Sequence, residues 1–232
     1  QWHNNHAGTL EEVEIVAICD TDSEKRAEAP ENVKLYTDYK ALLADSDVEW
    51  VMISVPNHLH HDIAIDAAKA KKNIIVEKPC ALNVQEFDEM YQAAKDNGVL
   101  FTVDQNRRWD RDYCTVKKVL EQNSIGKVFM VKSSHYGVFG RMHDWHEYPE
   151  CGGGMLYDWG VHLIDQMLDL IPGKITQISA DMKCAVNKSV DDYFRILLYF
   201  DNGLAAEIEL GTFLLKKLPR WYVAGDTGTF SS

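Results

Sequence analysis

Four short runs in the first half of the chain, 14–20, 50–56, 73–77 and 100–104, are rich in β-branched residues and have near-continuous apolar centres. Such strands are buried on both faces, the pattern of a parallel sheet covered by helices. The segments between them carry helical periodicity. Over 60–72, Ile63, Ala64, Ala67 and Ala68 share a face, and Lys69, Lys71 and Lys72 favour the C-terminal end. Over 83–97, Asn83 is the predicted N-cap with Glu86 three residues on. Phe87, Met90, Tyr91 and Ala94 form the stripe, and Gly98 stops the helix. Strand, helix, strand, helix predicts a doubly wound α/β domain.

The second half reads differently. The runs 127–136, 175–186, 193–200 and 204–213 predict longer strands, several of mixed polarity, and Asp201-Asn202-Gly203 predicts a hairpin between the last two. One helix, 155–171, is stopped by Pro172-Gly173. The expected fold class is therefore α/β: an N-terminal Rossmann-type parallel sheet, then an α+β domain with a large open, mainly antiparallel sheet, solvated on one face. The character changes over 107–112, which divides the chain into an expected dinucleotide-binding domain, 1–108, and an expected substrate-binding and oligomerisation domain, 109–232.

Composition narrows the function. With 46% hydrophobic and 26% charged residues the chain is globular. A net charge of -12 argues against nucleic-acid binding, which needs a basic footprint. No apolar run approaches a membrane span, and no secretory leader pattern opens the sequence. Five scattered cysteines without a Cys-x-x-Cys pair argue against a disulfide framework or structural zinc and favour a reducing, cytoplasmic location.

Several residues invite chemistry. Asp20 closes the first run; at the end of the second strand of a dinucleotide fold it would accept ribose hydroxyls, and otherwise it caps the next helix. Pro56-Asn57-His58-Leu59-His60-His61 places three histidines within four residues, but adjacent histidines rarely converge on one ion, so no metal is expected; a ligand loop at a strand's C-terminal end is the better reading. Glu77-Lys78-Pro79 ends a buried strand in two charges, costly unless they pair or serve a site. Gly152-Gly153-Gly154 leads into a helix where Asp158 and His162 stand at i and i+4, with Asp165 at i+7. That stripe is either a solvated face or a carboxylate-supported general base. Gly160 inside the helix suggests close approach by a neighbour. Arg107 and Trp145 suit a polyhydroxylated ligand or interdomain packing equally.

Together these motifs resemble the Gfo/Idh/MocA family of oxidoreductases, which act mostly on sugars, inositols and related polyols. Residues 74–79 look like that family's Glu-Lys-Pro signature, 55–60 are similar to its cofactor loop, and 152–165 resemble its Gly-Gly…Asp-x-Gly-x-His-x-x-Asp helix. The resemblance implies an NAD-dependent enzyme, with NADP less favoured because of Asp20. It implies Lys78 at the reacting hydroxyl and nicotinamide ribose, His162 as acid/base, and Asp158 orienting substrate or base. Pro56, Asn57, His60, Glu77 and Lys78 would line the cofactor, and Arg107 and Trp145 the sugar. A homodimer or homotetramer is also implied. His3 stands where the family has a histidine just after its glycine fingerprint, so a first strand and glycine-rich turn are expected upstream of Gln1, with further sheet beyond Ser232. Two alternatives remain: a tightly held NAD serving a redox-neutral sugar cycle, and a non-catalytic sugar- or NAD-binding regulator.

Overall fold

A computed structural model describes residues 9–137, 142–213, 216 and 218–232; His3 lies outside them. The chain divides into two compact units, one of Gln1–Val55 and Leu59–Asp104, the other of Pro56–His58 and Gln105–Ser232.

The first unit alternates strand and helix. In order it contains β1 (Ala17–Cys19), α1 (Ser23–Ala27), β2 (Lys34–Tyr36), α2 (Tyr39–Leu43) and β3 (Trp50–Ile53), then α3 (His60–Lys69), β4 (Asn73–Val76), α4 (Val84–Asn97) and β5 (Phe101–Val103). All its strand pairs are parallel: β1 with β2, and β3 with β4 with β5, the two groups having no ladder between them among the described residues. Ile53, Ile74 and Val76 are buried against Ala64, Ala67 and Ala68 of α3 and Met90 and Ala94 of α4. Small alanines let α3 lie close to the sheet.

The caps of α4 are those its sequence predicts. The Asn83 side chain accepts the Glu86 amide at 2.9 Å, Glu86 accepts the Leu82 amide at 3.0 Å, and Gly98 closes the helix at φ 69°. α3 is shorter than expected. Lys71 turns left-handed at φ 62°, and Lys72 is buried with its ammonium donating to the Asp45 and Val48 carbonyls, so the last two lysines serve a turn. β2 and the two five-residue helices went unpredicted because each is too short to display a period.

The second unit opens with α5 (Arg111–Glu121), followed by β6 (Val128–Tyr136). A π-helical turn, Leu156–Gly160, runs directly into α6 (Val161–Leu170). Then come β7 (Ile175–Lys183), β8 (Tyr193–Phe200), β9 (Ala205–Gly211), β10 (Trp221–Gly225) and β11 (Thr229–Ser231). The six strands form one sheet in the order β11-β10-β6-β9-β8-β7. Every pair is antiparallel except β6 with β9, which run parallel with Met130 opposite Ala205. The larger, mainly antiparallel sheet of the sequence reading is thus present. Its buried face, with Phe194, Ile196, Leu198, Ile208 and Leu210, packs against Leu163 and Met167 of α6. The predicted hairpin joins β8 to β9, with Gly203 at φ 83°.

Candidate functional site

Each unit gathers part of the predicted set. In the first, Asp20 follows β1. Its Oδ1 accepts the Asp22 amide at 2.9 Å, its Oδ2 stands 4.0 Å from the Lys25 ammonium, and its main-chain carbonyl accepts from Arg26 at 2.6 Å. The helix cap is instead Asp22, whose side chain accepts the Glu24 amide at 2.8 Å. Glu77 and Lys78 follow β4, half-buried. The Glu77 amide donates to the Ile53 carbonyl at 2.9 Å, its carboxylate accepts the Lys78 amide at 3.0 Å, and the Lys78–Pro79 peptide is cis.

The three histidines near the start of α3 diverge. His58 is exposed. His61 lies between Asp62 at 2.8 Å and Glu89 at 2.7 Å, and their bonds raise its pKa against the lowering effect of burial. His60 is wholly buried, its Nδ1 2.9 Å from the Pro79 carbonyl and its Nε2 2.9 Å from the Val55 carbonyl. Burial pushes its pKa down, opposed by the two carbonyls. Among the described residues no group of three or more His, Cys, Asp or Glu is placed to hold a metal ion.

In the second unit crowding requires two of the three glycines, Gly153 and Gly154. A Cβ on Gly153 would stand 2.3 Å from the His146 carbonyl oxygen. On Gly154, at φ 98°, it would stand 2.3 Å from Asp191 Oδ1. Asn57, buried, donates to the Gly152 carbonyl at 2.9 Å. The same loop carries Trp145, stacked on His146 with centroids 3.7 Å apart. Asp191 caps the following turn: its Oδ2 accepts the Leu156 amide at 2.8 Å and its carbonyl the Met155 amide at 2.9 Å. Burial raises the Asp191 pKa, and those amides pull against it.

Asp158 sits within the π-helical turn and His162, 4% exposed, on the first turn of α6. The π-helical turn runs straight into α6 between them. Arg108 takes Asp165 in a two-pronged pair at 2.7 and 2.6 Å. Gly160 accommodates the Leu156 side chain and the Phe194 ring, which would lie 2.8 and 3.1 Å from an added Cβ.

A stack that sequence reasoning missed centres on Trp159. The Arg107 guanidinium lies 4.3 Å from the indole centroid, and the His135 ring lies nearly parallel to the indole with centroids 4.0 Å apart. His162 meets the same indole edge-on at 6.0 Å. Burial, then the charges of Arg220 and Arg107, push His135 down to about 4. The available signal was a lone histidine in an otherwise strand-like run. Beside this stack, Gln166 donates to the Arg107 carbonyl at 2.6 Å and accepts from Arg220 at 2.8 Å. Gln105 Oε1 and Asn106 Oδ1 are buried without a hydrogen-bond partner among the described residues.

A nucleotide-type parallel unit followed by a large mixed sheet, with a Glu-Lys-Pro turn in one and an Asp…His segment in the other, defines a class. Residues 1–105 match the model of the oxidoreductase family with an NAD-binding Rossmann fold, and 113–231 match the GFO/IDH/MocA C-terminal domain. The chain belongs to the Gfo/Idh/MocA oxidoreductase family. It is 39% identical to an NAD-binding protein from Listeria innocua of known structure, with a TM-score of 0.95 over 99% of this chain and 66% of that one. It is 35% identical over 184 residues to an uncharacterized oxidoreductase of Schizosaccharomyces pombe, covering 78% of this chain and 50% of that protein. An NADP-dependent scyllo-inositol 2-dehydrogenase of Bacillus subtilis is 28% identical over 232 residues, covering 99% of this chain and 64% of the enzyme. The chain thus spans from half to two thirds of the length of these relatives.

The Asp20 carboxylate fits the ribose of a nicotinamide dinucleotide as a hydrogen-bond acceptor. The Asp20 side chain is 32% exposed, and among the described residues its Oδ2 meets only the Lys25 ammonium at 4.0 Å, which leaves acceptor capacity for ribose hydroxyls at the end of a parallel strand.

Proposed function

We propose that the protein carrying this chain is an NAD-dependent dehydrogenase that interconverts a secondary alcohol of a sugar, inositol or related polyol, free or glycosidic, with the matching ketone. Bound nicotinamide supplies the two-electron acceptor for the carbinol hydride. This chain's residues do the rest. Lys78 donates from its ammonium to the reacting oxygen and stabilises the charge that grows there as the hydroxyl proton leaves, an effect worth several kcal/mol in comparable sites. A ring nitrogen of His162 takes that proton in oxidation and returns it in reduction. Asp158 orients the substrate or the imidazole. The alcohol loses one hydride and one proton, so the balance closes on the ketone.

Asp20 receives the adenine ribose; Pro56, Asn57, His60 and Glu77 shape the cofactor's surroundings; Arg107 and Trp145 serve the hydroxyl-rich substrate. The observation that carries this reading is His162, buried at 4% exposure immediately after the π-helical turn that holds Asp158. An imidazole at such a turn matches the functional use of π turns. The buried acceptors of Gln105 and Asn106 suit a ligand rich in O–H donors. One observation favours NADP as a second reading: Arg26 and Lys25 stand beside Asp20, the kind of cations that accommodate a 2′-phosphate.

The test is the near-ultraviolet absorbance of reduced nicotinamide. The protein is mixed with NAD or NADP and a panel of inositols, free hexoses and glucosides. Turnover is expected with NAD, falling about 10²- to 10⁴-fold in His162→Ala. No turnover with any pair, or a His162→Ala variant as active as wild type, overturns the reading.

A further inference from the structure

We propose that His60 is a positioning residue, a buried clamp that joins the segment leaving β3 to the Glu77-Lys78-Pro79 turn leaving β4. The two strands are paired in register, with Ile53 opposite Val76. Their backbone ladder ends where the Glu77 amide donates to the Ile53 carbonyl at 2.9 Å. Past that point the chains lead to Val55 on one side and Pro79 on the other. The His60 ring spans the interval, 2.9 Å from each carbonyl.

The ring has no access to solvent. It is 0% exposed and belongs to the face of α3 on which Ala64, Ala67 and Ala68 are also buried. Its nitrogens are occupied with main chain, which leaves them nothing to offer a ligand directly. Apolar packing alone would be met by leucine at this position; two nitrogens aimed at two carbonyls require a side chain with polar atoms at both ends of a rigid ring. A neutral imidazole has one N–H donor, so each tautomer donates to one of the two carbonyls while the rigid ring lies in contact with both.

The two halves of the clamp bear on different parts of the proposed chemistry, and this consequence rests on the reading of Lys78 and the cofactor loop given above. The Nδ1 contact fixes Pro79 and with it Lys78, the residue read as touching the reacting oxygen. The Nε2 contact fixes Val55, next to Pro56 in the cofactor loop. Asparagine places an amide nitrogen near the Nδ1 position, and glutamine places one near Nε2.

The experiment compares His60→Asn, His60→Gln and His60→Leu with wild type, by amide hydrogen exchange and by steady-state kinetics. In exchange, His60→Asn is expected to lose protection in the 54–58 segment and keep it at 77–81, His60→Gln to do the reverse, and His60→Leu to lose both. In kinetics, His60→Asn is expected to raise KM for the nucleotide about tenfold at nearly unchanged kcat, and His60→Gln to lower kcat about tenfold at nearly unchanged KM, the size of one buried hydrogen bond. His60→Leu with wild-type exchange would show a space-filling residue and overturn the proposal. So would identical patterns for the asparagine and glutamine variants. If the protein turns over no alcohol, the dehydrogenase reading fails alone, because exchange still decides the clamp.

Discussion

His135 shows how a single stacked ring sets a pH response. Its surroundings hold its pKa at about 4, against the ordinary 6.5. Between those values the unfolded chain binds the proton that the folded ring refuses, so the slope of stability with pH is positive there. The His135 contribution is complete above about pH 6.5 and is lost as the pH falls toward about 4. His135→Phe keeps a ring against Trp159 but removes the titration. Denaturant unfolding at about pH 7 and about pH 5 should show a smaller acid-side loss in the variant; an unchanged loss would place the effect elsewhere. The same low value keeps His135 neutral through the range in which a free imidazole titrates, so a rate change centred near neutral pH belongs to another group.

At the scale of elements, the π-helical turn and its glycines form one assembly. Gly154 has the positive φ and the close Asp191 contact; Asp191 in turn holds the Leu156 amide from which the turn starts. Gly154→Ala combines backbone strain with a displaced cap, a cost of roughly 2–4 kcal/mol. Denaturant unfolding would measure it. In an Asp191→Ala background the added cost should shrink, because the atom that the methyl group strikes is gone; full additivity would refute the coupling. These elements also mark the limit of what the sequence disclosed. Apolar runs and caps located β3, β4, β8 and α4, since there burial and hydrogen bonding follow local periodicity. The widened turn at 156–160 leaves no such mark, for it depends on Asp191, more than thirty residues away. The Trp159 stack was equally hidden, because Arg107 and His135 reach it from separate segments. Lys78, Asp158 and His162 stood out in the sequence as charged or polar residues in apolar runs, whereas the partner of Asp165 did not, Arg108 lying 57 residues away.

For the molecule as a whole, the two units carry separate cores, of Ile74 and Met90 in one and of Phe194 and Trp221 in the other. A nucleotide held by the first should raise its stability by about 2.7 kcal/mol at one hundred times Kd. Thermal unfolding with NAD and with NADP reads both the binding and the preference. A larger shift with NAD that equalises in Asp20→Ser would support discrimination by that carboxylate; no shift with either nucleotide would overturn nucleotide binding.

The strand order of the second unit also carries a timetable. β7, β8 and β9 succeed one another and pair as neighbours, so that part of the sheet closes from contacts near in the chain. β6 is the earliest of the six strands to leave the ribosome, yet its partners are β9 and β10, both made later, with the β9 seam running parallel. Non-local pairing of that kind is slow to form. During synthesis the future centre of the sheet therefore waits with both edges open, and β6 is the segment on which a nascent-chain chaperone has the longest opportunity to act.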